Sequence, residues 1–164
     1  MPHDEFVAEM RSRGGGLTAA LVRDAMAAFS QHYGTDRLTL TRLVLKSEDA
    51  SVTARLRLPR HPDQVDELTF TEDDLDGPSP VKVSAAEDLD RMSFTVRDVP
   101  ALEDVVKMVD TALAETKYYE GYVETIEVTR TASAPKISVA VSSSRADAVV
   151  TFKANGRFTK VTRS

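Results

Sequence analysis

Residues 101–161, ALEDVVKMVDTALAETKYYEGYVETIEVTRTASAPKISVAVSSSRADAVVTFKANGRFTKV, decide the fold. Laid over the chain about 84 residues upstream, they reproduce the same order of elements and the same apolar positions. Leu21-Val22-Arg23 falls on Val105-Val106-Lys107, Ala25 on Val109, and Ala28-Phe29 on Ala112-Leu113, without a gap. Similarity at a fixed spacing is the mark of one structural unit used twice.

Each copy opens with an amphipathic helix. Leu17, Leu21, Ala25, Ala28 and Phe29 fall on one stripe at helical spacing, as do Leu102, Val105, Val106, Val109 and Leu113. Short alternating runs follow. Leu43 and Leu45 answer Ile126 and Val128; Val52, Ala54 and Leu56 answer Ile137, Val139 and Val141; Leu68-Thr69-Phe70 answers Val150-Thr151-Phe152. Asp76-Gly77 and Asn155-Gly156 carry the hairpin signal, because both residues of each pair tolerate positive φ. Fourth strands are expected at Val81 to Val83 and at Phe158 to Val161.

The expected fold is therefore α+β: two tandem copies of a helix followed by a four-stranded antiparallel sheet, with the helices packed on one sheet face. Residues 1–16 make an N-terminal segment, a short helix over Pro2 to Arg13 and a Gly14-Gly15-Gly16 hinge. The first repeat spans 17–84, a connector 85–99, and the second repeat 100–164. Within the connector, Ser93 to Arg97 reads as an extra strand, and Asp98, Val99 and Pro100 open the second helix. So short a connector predicts that the two sheets join or abut.

The composition excludes several classes. There is no cysteine among the 164 residues, which removes disulfides, thiolate metal sites and cysteine nucleophiles. The net charge of −5 argues against a general nucleic-acid binder. The N-terminus lacks the basic region and apolar core of a signal peptide, and no apolar run is long enough to cross a bilayer. No membrane association and a cytoplasmic location are expected. The triple glycine is followed by Leu17 and Thr18 where a phosphate-cradling loop has a lysine, so it reads as a hinge.

No residue set argues for catalysis. His3, His32 and His61 stand apart, and neither a Gly-x-Ser-x-Gly elbow nor a His-Glu-x-x-His pair occurs. Glu72-Asp73-Asp74-Leu75-Asp76-Gly77 has the opening spacing of a calcium loop, but Val83 stands where that loop needs its bidentate glutamate. No metal and no cofactor is expected.

Two surface features remain. Alternation places Thr53, Arg55, Arg57, Ser138, Ala140 and Ser142 on the face opposite the helices, with further threonines beside them and basic residues mainly in the first copy. Threonine's strand propensity and a wet outer face explain this pattern as plain solvent exposure; a concave binding face is the alternative. Tyr118-Tyr119-Glu120-Gly121-Tyr122 stands where the second helix turns into its first strand. Three tyrosines there suit either a protein-binding hot spot or closure of the core's end.

A helix followed by a four-stranded antiparallel sheet, duplicated, resembles tandem PepSY-type modules and the β-lactamase-inhibitor-protein family, without the disulfide cysteines of the latter. Residues 148–158 resemble the terminal hairpin of such modules. The resemblance implies an inhibitory or peptide-facing role. The expected function is a non-catalytic protein-binding module of inhibitor, immunity or adaptor type. Its partner-binding residues are Tyr118, Tyr119, Tyr122, Arg55 and Arg57. A small-ligand-binding protein or enzyme with a pocket between helices and sheet is the second reading. The third is a homo-oligomeric structural protein, a homodimer included.

Overall fold

The computed structural model describes residues 16–72, 74–131 and 133–164. The helix and hinge read over Pro2 to Gly15 lie outside them, as does Asp73 of the acidic run. Helix α1, Ala19–Tyr33, begins where the Thr18 hydroxyl accepts the Leu21 amide at 3.2 Å, and ends at Gly34, whose φ of 69° a residue with a Cβ seldom adopts. Strands β1 (Leu40–Lys46), β2 (Ser51–Leu58), β3 (His61–Thr71) and β4 (Asp74–Val81) follow. After a one-turn helix α2, Leu89–Met92, and two 3-10 turns comes α3, Val105–Thr116. Strands β5 (Tyr122–Arg130), β6 (Pro135–Ser142), β7 (Asp147–Lys153) and β8 (Phe158–Arg163) complete the chain.

All eight strands form one antiparallel sheet in the order β4-β3-β2-β1-β5-β6-β7-β8. The expected pair of four-stranded sheets is thus a single α+β layer, joined edge to edge where β1 meets β5. Leu43 lies opposite Val128 and Leu45 opposite Ile126, all four fully buried. Both longer helices cover one face. Val22, Ala25 and Phe29 of α1 and Val105, Met108, Val109 and Ala112 of α3 share one core with the inward residues of the strands. Leu21, expected on the first stripe, is only partly buried, and Val22 is buried beside it.

Three local readings change. The turn between β3 and β4 is made at Glu72, with φ of 51°, so that β3 runs on to Thr71. Asp76-Gly77 lies inside β4, opposite a register shift between Glu67 and Thr69. The hairpin signal is real as a conformational preference, since Gly77 has φ of 106°, but it is used for a bulge. Pro78 and Pro80 are tolerated because β4 is an edge strand. Asn155-Gly156 does make its turn, and Gly156 packs against Ala101.

The proposed strand at Ser93 to Arg97 reduces to one bridge, Phe94 exchanging backbone hydrogen bonds of 2.8 and 2.9 Å with Leu40. Thr95 then starts a 3-10 turn, because the Asp98 carboxylate accepts its amide at 2.8 Å. Pro100–Asp104 forms a second 3-10 turn, so α3 starts five residues later than the Pro100 signal indicates.

Tyr33, at the end of α1, holds its hydroxyl out of water with no hydrogen-bond partner among the described residues. Burial first, then the negative charge of Asp66, push its pKa from 10.0 up to about 12. The folded chain keeps this proton more tightly than the unfolded chain does. The resulting stability is fully present below pH 10 and is lost as the pH rises toward 12. Tyr33→Phe is expected to be neutral or stabilising by about 1 kcal/mol at pH 7, since it removes an unsatisfied hydroxyl. It should also flatten the alkaline fall in stability, which urea titration across that pH range measures.

Candidate functional site

Among the described residues neither α1 nor α3 packs on the second face of the sheet, and the one-turn helix α2 meets it at the Arg57 end. Its central row is set by the strand register: Thr69, Thr53, Val44, Glu127, Ser138, Thr151 and Lys160 lie side by side from β3 to β8. Thr125, Ala140 and Val149 form a parallel row across β5, β6 and β7. Apart from Glu127 and Lys160 these side chains are short, and the Thr53 and Thr69 hydroxyls are tied by a 3.0 Å hydrogen bond.

The arginines of the first half are neutralised on this face. Arg42 and Arg55 stand opposite each other on β1 and β2, a like-charge pair that costs stability unless it is discharged. Arg42 reaches Glu127 at 2.7 Å and Arg55 reaches Glu67 at 3.0 Å. Arg57 is committed further: Nη1 donates to Asp90 Oδ1 at 2.8 Å and to Ser93 Oγ at 3.1 Å, and Nε donates to the Pro62 carbonyl. Only 16% of its side chain is exposed. Arg55 and Arg57, read as partner-binding residues, thus hold β2 to β3 and to α2.

Free positive charge on this face sits at Lys46, the end of β1, and mostly in the second half. Lys136 and Lys153 face each other across β6 and β7, and Lys160 lies on β8 beside Thr151. All three are exposed, and none forms an ion pair among the described residues. The alternation Lys136-Ile137 and Phe152-Lys153 places these lysines outward, a signal present in the sequence but hidden until β6 and β7 are paired.

The tyrosine cluster divides. Tyr118 packs against the core, donates its hydroxyl to the Asp147 carbonyl at 3.1 Å and lies beneath the Arg163 guanidinium, 5.2 Å from the ring centre. It closes the end of the core. Tyr119 is 87% exposed, and Tyr122 projects from the start of β5 opposite Ser142, 37% exposed. Glu120 turns the loop with φ of 54°. Arg55 and Arg57 lie toward the other end of the sheet from Tyr122, some eight residues along the strand direction, or roughly 25 Å at about 3.3 Å per residue. The five residues therefore do not form one site.

Among the described residues no group of three or more histidine, aspartate or glutamate side chains is placed to hold a metal ion. No helix among them is long and apolar enough to cross a membrane.

No protein-family model matches the chain, and no curated protein matches it. The fold is similar to the crystal structure of a "putative lipoprotein" from Clostridium difficile 630, with a TM-score of 0.60. The match has 13% identity and covers 87% of this chain and 92% of that one. At that identity the likeness concerns the fold, an α+β layer built on an antiparallel sheet.

Proposed function

We propose that this protein is a non-catalytic binding module that takes an acidic protein surface on the uncovered face of its sheet, over β5 to β8. The observation that carries the reading is the trio Lys136, Lys153 and Lys160, left without ion pairs beside Ser138, Ala140 and Thr151. Two lysines placed opposite each other repel, and in the first half the chain meets the same problem with carboxylates. A partner that supplies the carboxylates would relieve the repulsion and gain charge-steered association. Val149, Tyr122 and Tyr119 add apolar area toward one end.

The two halves further support a reading of the chain as a duplicated unit. Each has a helix followed by four antiparallel strands. At the seam Leu43 meets Val128 while Leu45 meets Ile126, so that each of two matched positions contacts the other's counterpart. That reciprocity is what a two-fold relation between copies produces. On this reading the second copy kept its lysines free while the arginines of the first took ion pairs.

The test is affinity capture from source lysate with three baits: the natural chain, Lys136→Glu/Lys153→Glu/Lys160→Glu, and Lys107→Glu on the exposed side of α3. The natural chain and Lys107→Glu are expected to retain the same stoichiometric acidic partner. The triple variant should bind it on the order of 100-fold more weakly, and added salt should weaken the natural complex. Equal retention by the triple variant, or no stoichiometric partner on any bait, would sink the proposal.

A further inference from the structure

On the helix side of the molecule, α1, the segment leading into β1 and the 3-10 turns before α3 enclose an open cleft of about 920 Å³. Its floor is apolar. Val22 and Leu102 are 2% exposed and Leu38 7%, with Met26 and Val96 packed beside them. Around it stand three arginines from three separate segments: Arg23 on α1, Arg37 before β1 and Arg97 in the Val96–Asp98 turn. All three are exposed, and their guanidinium groups make no ion pair or hydrogen bond among the described residues. Asp36 and Glu103 also line the cleft, so three positive and two negative charges leave it net positive within a chain of net charge −5.

We propose that this cleft is a binding site for a small amphipathic anion, an unbranched acyl chain ending in a carboxylate. The chain would lie over Met26 and Val96, which stay partly exposed beside the buried Val22, Leu38 and Leu102, and the carboxylate would take the fork of a rim guanidinium, a geometry that lysine cannot supply. The volume falls within the about 300–1,000 Å³ typical of small-molecule sites. A wholly polar anion would leave the exposed parts of Met26 and Val96 in water, and a neutral apolar ligand would leave the guanidiniums unused. The contrast with the sheet face supports the assignment: Arg42, Arg55 and Arg57 each meet a carboxylate there, whereas these three arginines do not. The site is separate from the lysine face and does not depend on it.

Calorimetric titration with dodecanoate below its micelle concentration tests the proposal on the full chain. The natural protein is expected to bind one equivalent, and dodecyltrimethylammonium, the same chain with a cationic head, should not bind. Arg37→Glu/Arg97→Glu, two exposed positions, should raise the Kd for dodecanoate at least tenfold with an unchanged circular dichroism spectrum. Lys153→Glu on the sheet face should leave that Kd unaltered. Failure of dodecanoate to bind, equal binding of the cationic amphipath, an unchanged Kd in the double arginine variant, or loss of binding in Lys153→Glu would each overturn it.

Discussion

Replacing Ile126 with alanine is expected to lower the stability of the whole chain by about 2–5 kcal/mol and to leave unfolding a single transition. Ile126 is fully buried on β5 and faces Leu45 across the seam that joins the two halves of the sheet. Removing its side chain withdraws apolar surface from the core and leaves a cavity that neighbours on both sides of the seam can close only in part. The core is continuous across this line, from Phe29 and Leu45 on one side to Ile126 and Val139 on the other. The cost should therefore fall on both halves. Tyr33 reports on the first half and Tyr118 on the second, so tyrosine fluorescence and far-ultraviolet dichroism should give coincident urea curves. Two separated transitions in the variant would contradict a shared core.

Gly77→Ala should cost about 1–3 kcal/mol through backbone strain, with any clash added to that. Gly77 has φ of 106°, and a Cβ placed there would lie 2.8 Å from the Glu67 carbonyl oxygen, a backbone atom that cannot swing away. Relief requires β4 to shift off β3 at the bulge. Gly34→Ala is the matched comparison, since Gly34 also has positive φ but a Cβ there meets nothing within 4 Å. Its cost should stay near about 1 kcal/mol. Equal losses for the two variants, measured by urea unfolding, would show that the contact with Glu67 carries no weight.

Periodicity made the helices and most strands legible, because a buried face repeats at about 3.6 residues in a helix and 2 in a strand. Val52, Ala54 and Leu56 face the core as their alternation requires, and so do Ile137, Val139 and Val141. Long-range pairing leaves no such local pattern. Arg42 and Glu127 are distant in sequence, as are Arg57 and Asp90, so no local pattern shows that these arginines are neutralised. Tyr118 is ambiguous in the sequence for the same reason, since its acceptor, the Asp147 carbonyl, arrives from a later strand. Asp76-Gly77 misled in the opposite way: its preference for positive φ is local, while the choice between hairpin turn and bulge depends on how far β3 extends. The lysines became a cluster only once β6, β7 and β8 lay side by side.

The binding face is tested most directly by lysine acetylation footprinting of the captured complex against the free chain. The account predicts that Lys136, Lys153 and Lys160 lose reactivity when the partner is bound, while Lys107 and Lys117 on and after α3 keep theirs. Protection of Lys107 and Lys117 with the three sheet lysines still reactive would contradict it and place the partner on the helix side.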